Sequence, residues 1–139
     1  MKIAICGSMA FAKEMCEIKK QLEVKSHEII LPHGTEILAD GFLAPESSKE
    51  SVENKIKHDL FRHYFKLIQD CDAILVLNFS KNNIDNYIGG NSLIEMAFAH
   101  VLNKKVFLLH PIPKISYSDE IVGLQPIVLN GDLDKISLE

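Results

Sequence analysis

The stretch Asn86-Tyr87-Ile88-Gly89-Gly90-Asn91-Ser92-Leu93-Ile94-Glu95 holds the densest set of residues suited to chemistry in the chain. Paired glycines let a backbone come close to a ligand, and a helix opening just after them points its free amides and positive dipole end at the same place. Such a loop suits an anionic or hydroxyl-rich ligand. Glu95, placed in the first turn of that helix, would be favoured in its ionised form by about 0.3–1 kcal/mol, which suits a nucleophile or charge stabiliser better than a proton donor. Ser92-x-x-Glu95 is also the spacing of a capping box, in which the carboxylate bonds back to the Ser92 amide, and spacing alone favours that plainer role. For Gly89-Gly90 the plain alternative is a turn.

Gly7-Ser8-Met9 follows the first apolar run, with Ser8 either a helix cap or a ligand for a hydroxyl or phosphate. Asn78 ends another apolar run, where a polar residue faces the ligand in parallel-sheet folds. His110 stands after a third, as a substrate contact or a structural histidine beside Pro111. His58, Asp59, Arg62 and His63 crowd one helix, but without a second cluster at ligand spacing they read as a solvated face, and no metal is assigned. Cys6, Cys16 and Cys71 have no C-x-x-C spacing and read as small buried residues in a reducing compartment. No Gly-x-Gly-x-x-Gly or Walker pattern occurs, which disfavours a dinucleotide or triphosphate enzyme.

These loops need elements to hold them. Met1–Cys6 is apolar and stops at Gly7-Ser8, as a strand buried on both faces does. Phe11, Met15, Ile18 and Leu22 recur at helical spacing from about Met9 to Val24, and Glu28–Leu31 reads as a short strand ending at Pro32. A long loop, with room for one helical turn, follows to about Lys49, through Gly34, Gly41, Pro45 and Ser47-Ser48. Ile56, Leu60, Phe61, Tyr64, Phe65 and Ile68 predict one helix over Val52 to Gln69. Asp72–Asn78 then reads as a central strand, Ser80–Gly90 as a polar loop, Ser92–Leu102 as a helix, and Val106–Leu109 and Pro126–Leu129 as two more strands. This alternation predicts an α/β fold: a flavodoxin-like or Rossmann-like three-layer sandwich with a five-stranded parallel sheet, whose ligand sits outside the carboxyl ends of the strands.

A length of 139 residues, 47% hydrophobic and 24% charged, fits one soluble globular domain, 1–139. The net charge of −4 and the absence of a basic block argue against a nucleic-acid partner. Ala73–Leu77 is far too short to span a bilayer and the amino terminus lacks a signal peptide, so no membrane association and a cytoplasmic location are expected. Arg62 is the single arginine, so a phosphate site would lean on backbone amides, hydroxyls and lysine.

Gly7-Ser8 after the first strand, the Asp-led run Asp72-Ala73-Ile74, and the glycine loop followed by Glu95-Met96-Ala97-Phe98-Ala99 resemble the nucleoside 2-deoxyribosyltransferase family, which includes the 2'-deoxynucleoside 5'-monophosphate N-glycosidases. The resemblance covers about Met1 to Leu109. It implies cleavage or transfer of the N-glycosidic bond of a (2'-deoxy)nucleoside or its 5'-monophosphate, with no cofactor, and with Glu95 as the nucleophile that displaces the base. A retaining mechanism asks for a second acidic group about 5 Å away. By the family's pattern that group lies on the preceding helix, where counting from Asp72 gives Tyr64 and the pair Asp59-Leu60 gives Asp59. Gly7, Ser8, Met9, Asn78, Gly89, Gly90, Asn91 and Ser92 would line the substrate, and a homo-oligomer would complete the site. The alternatives are a non-catalytic nucleotide-binding module of the same fold, or a ribonucleoside 5'-monophosphate phosphoribohydrolase.

Overall fold

The computed structural model describes residues 1–41 and 47–137. Positions 42–46, including Pro45 of the expected long loop, lie outside the described residues. Five apolar runs form strands: β1 (Lys2–Gly7), β2 (Glu28–Ile30), β3 (Ala73–Leu77), β4 (Lys105–Leu108) and β5 (Ile127–Val128). All pair in parallel, in the order β2-β1-β3-β4-β5. This is the flavodoxin-like order of a three-layer α/β sandwich. Every residue of β3 is buried, as befits a strand covered on both faces.

Alternate residues of the strands feed two cores. Ile3, Ile5, Leu75, Leu77 and Phe107 pack under α1 (Ala12–Val24), through its stripe Met15, Ile18 and Leu22. Ala4, Cys6, Ile74, Val76, Val106 and Leu108 point to the other face. There they meet Ile68 of α4 (Leu60–Gln69), Met96 and Ala99 of α5 (Gly90–Val101) and Ile121 of α6 (Ser118–Gly123). Phe65 of α4 and Phe98 of α5 meet edge to face at 5.3 Å and lock those helices together.

Three helical expectations need correction. The helix expected from Met9 begins as a 3-10 turn, Met9–Phe11, before α1. The helix expected over Val52 to Gln69 is two, α3 (Ser48–Lys57) and α4, because Asp59 takes left-handed backbone at φ 48° and turns a corner between them. Ser47 caps α3 by accepting from the Glu50 amide, yet α3 buries none of its residues, and Val52 and Ile56 stay exposed. The loop after β2 carries one short helix, α2 (Thr35–Ala39), and α6 stands between β4 and β5, where no helix was expected. Among the described residues no helix is long and apolar enough to cross a membrane.

Candidate functional site

The carboxyl edge of the sheet gathers three loops, and each is shaped by a local requirement. After β1, Gly7 has φ +153°, and a Cβ there would lie 2.9 Å from the Leu77 carbonyl and 3.2 Å from Met15 Cε, so only glycine lets β1 run this close to β3. Ser8 caps the following 3-10 turn by accepting from the Ala10 amide at 3.3 Å. Met9 sits in that turn, its sulfur facing the Thr35 hydroxyl.

After β3 the chain doubles back on itself. Asn82 and Asn83 both adopt left-handed backbone, the conformation of a tight two-residue turn, so Lys81 and Ile84 exchange backbone hydrogen bonds at 3.1 and 2.9 Å. That turn delivers Lys81 across the edge, where its Nζ donates to Ser8 Oγ at 2.7 Å and lies 5.4 Å from the centre of the Tyr87 ring. Ser80 donates to Asp85 at 3.2 Å. Phe79 packs edge to face between Phe11 and His110.

Asn78, expected to face a ligand, is fully buried and its hydrogen bonds go elsewhere. Its Oδ1 accepts from the His110 amide at 2.8 Å, and its Nδ2 donates to the carbonyls of His110 (3.0 Å), Pro111 (3.1 Å) and Asn86 (3.5 Å). It therefore clamps the loop after β4 to the loop after β3. The Tyr117 hydroxyl adds a second tie by donating to the Ile88 carbonyl, just before the paired glycines.

Helix α5 starts earlier than its sequence suggests. Gly89 is the N-cap, no side chain caps the helix, and Gly90 opens onto free space. A Cβ on Gly89 would come within 3.3 Å of the Tyr87 hydroxyl. Ser92 is thus inside the helix and buried, and Glu95 lies in the second turn rather than the first. The capping box does not form. Glu95 instead lies beside Cys6, close enough for each to shift the other's ionisation.

Burial, more than the helix dipole, sets the state of Glu95. Loss of water pushes its carboxyl up to about 7, only partly offset by the neighbouring Cys6 thiol. The expectation of a firmly ionised carboxylate is corrected accordingly, because desolvation exceeds the dipole contribution. Cys6 is driven well above the usual thiol value by burial and by the carboxylate beside it. Tyr64 stands close enough to feel both groups, and burial with their negative charge drives its phenol far up. Its hydroxyl is buried without a hydrogen-bond partner.

Of the expected catalytic trio, Glu95 and Tyr64 are brought together and Asp59 is not. Asp59 is exposed at the α3–α4 corner and holds Arg62 at 3.1 and 3.2 Å. Sequence reasoning missed Cys6 and Lys81. Cys6 carried one usable signal, since it is the last buried residue before Gly7 at the ligand edge. Nothing in the sequence pairs Lys81 with Ser8.

No protein-family model matches this chain, and no solved structure matches it. The chain is 25% identical over 130 residues to the aspartate carbamoyltransferase catalytic subunit of Methanococcus maripaludis. The match takes in 91% of this chain and 41% of that protein, so the chain spans about two fifths of its relative's length.

That relative belongs to a different family from the nucleoside deoxyribosyltransferases, and it corrects the resemblance drawn from the sequence. The N-glycosidase and nucleoside deoxyribosyltransferase roles fall with it. The motifs behind the resemblance have structural roles in this molecule. Asp72 accepts the Lys2 amide at 2.7 Å, at the amino end of the sheet, away from the ligand edge. Gly7 is required by the closeness of β1 to β3. The second carboxylate that a glycosidic mechanism asks of Asp59 is engaged with Arg62 at the surface.

Proposed function

We propose that this chain is a ligand-binding domain akin to part of a carbamoyltransferase, and that it holds a small phosphate-bearing carbamoyl donor at the carboxyl edge of its sheet. The observation that carries this reading is the Lys81 ammonium lying 2.7 Å from Ser8 Oγ, which joins the loops after β1 and β3 through a cation and a hydroxyl. The uncapped start of α5 at Gly89-Gly90-Asn91 supplies amides and a positive dipole end. Lysine, hydroxyl and helix amides together bind phosphate without arginine, and the single arginine is already paired with Asp59. Gly7, Ser8, Gly89, Gly90 and Asn91 form the backbone of the site, with Asn78 and Tyr117 holding the loops in place.

The test is titration calorimetry with carbamoyl phosphate, inorganic phosphate and aspartate on the wild type and on Lys81→Met. A charge-assisted hydrogen bond contributes about 1.5–3 kcal/mol, so Lys81→Met should weaken carbamoyl phosphate by roughly 10- to 100-fold. No binding of either phosphate compound by the wild type, or equal binding by both proteins, would overturn the reading.

A further inference from the structure

The helices α3, α4 and α5 leave apolar side chains in water that the core does not use. Of the nine large apolar side chains exposed among the described residues, five lie there: Val52 and Ile56 on α3, Phe61 on α4, and Ile94 and Val101 on α5. Single exposed apolar residues are ordinary, but a cluster of them edged by charge marks a contact surface. Helix α3 shows this most clearly. None of its residues is buried, and Val52 and Ile56 form a ridge, one turn apart, that is 54% and 77% exposed.

A hollow of matching character lies on α4 and α5. It is an open groove of about 350 Å3, walled by Phe61, Phe65 and Phe98 and edged by the Asp59–Arg62 ion pair. Phe61 and Phe65 also stand one turn apart, so ridge and groove share one spacing. The exposure of Val52 and Ile56 means that α3 does not fill the groove of its own chain.

Charge sets the direction in which a second α3 fits. Glu50 and Glu53 lie towards the amino end of α3, and Lys55 and Lys57 towards its carboxyl end; Lys49, the exception, stands 4.0 Å from Glu53. Along the groove the order is the same, with Asp59 at the start of α4 and Lys66 in its last turn. An α3 laid antiparallel to α4 therefore sets Val52 by Phe65, Ile56 by Phe61, its two acids by Lys66 and Lys57 by Asp59. Lys55 comes level with Arg62, which Asp59 already holds. A parallel α3 sets acid on acid and lysine on lysine. Among the described residues neither Glu50 nor Lys66 makes an ion pair, so both are open to such a partner.

We infer that two copies of this chain pair about a two-fold axis, each laying α3 antiparallel to α4 in the groove of the other. The exchange is reciprocal, so the contact closes at two copies and does not grow into a filament. Val52 and Ile56 of each copy bury against Phe61, Phe65 and Phe98 of the second copy, a helix seated in an apolar groove. The carboxyl edge of the sheet takes no part, so the pairing stands independently of what binds there.

Sedimentation equilibrium of the whole chain across the micromolar range tests the pairing, with the wild type expected as a dimer. A dimer holds two copies of Ile56, and burying each is worth a factor of about 10 to 100, so Ile56→Glu should raise the dissociation constant about 100-fold or more. A second readout leaves the packing in place. Ile56→Cys and Phe61→Cys chains, mixed and oxidised, should form a disulfide between positions 56 and 61 of different copies, located by peptide mass spectrometry. A monomeric wild type overturns the inference, as does an Ile56→Glu dimer as tight as the wild type's or a mixture in which no such link forms.

Discussion

Cys6, near the end of β1, lies beside the Glu95 carboxyl in the second turn of α5, close enough for each to shift the other's ionisation. Strand and helix thus meet through two groups that water normally separates. Cys6 is fully buried and Glu95 partly so, and desolvation makes the carboxyl hold its proton to an unusually high pH.

That retention has a measurable cost. Glu95 titrates near its ordinary 4.5 in the unfolded chain and at about 7 in the folded one, so between those values the folded protein binds more protons. Stability supplied by the neutral carboxyl is complete below about pH 4.5 and is lost as pH rises through about 7. The loss approaches about 3 kcal/mol. Glu95→Gln removes the titration, so the variant should gain on the wild type by up to this amount between pH 5 and pH 8 in urea denaturation. Parallel pH profiles for the two proteins would contradict the assignment.

Asn78→Leu should cost about 2–3 kcal/mol, because it leaves the buried partners of one amide side chain unsatisfied. Hydrogen exchange should accelerate at the His110 amide, which Asn78 Oδ1 normally accepts. A variant within about 0.5 kcal/mol of wild type, with that amide still protected, would show that the loops hold themselves.

Gly7→Ala should destabilise by about 2–4 kcal/mol, from the unfavourable backbone angle together with overpacking. The added methyl meets the Leu77 carbonyl, which belongs to the central strand and has no room to retreat. A melting temperature equal to the wild type's would mean that β1 and β3 separate readily.

Strands were the most legible part of the chain. Ile3–Cys6, Ala73–Leu77 and Val106–Leu108 are continuous apolar runs because helices cover both faces of the sheet, and such runs announce themselves without any partner being known. Helix α6 was hidden because its six residues offer no periodic stripe, with Ile121 its only buried side chain. The α3–α4 corner was hidden for the opposite reason, since Ile56, Leu60, Tyr64 and Ile68 keep helical phase straight through it. Within the site, the glycine-framed helix start and Glu95 were readable because they are local. The Cys6–Glu95 and Lys81–Ser8 contacts were not, because each joins residues far apart in sequence and depends on strand order.

The corner at Asp59 governs more of the molecule's outline than its single residue suggests. Were its backbone helical, residues 48–69 would run on as one rod of about 33 Å, at the usual rise per residue. Because α3 buries nothing of its own, one pair of backbone torsions sets the bearing of the whole arm. The arm is steered from its pivot and not from its length, so its charged flanks are carried wherever that pivot turns.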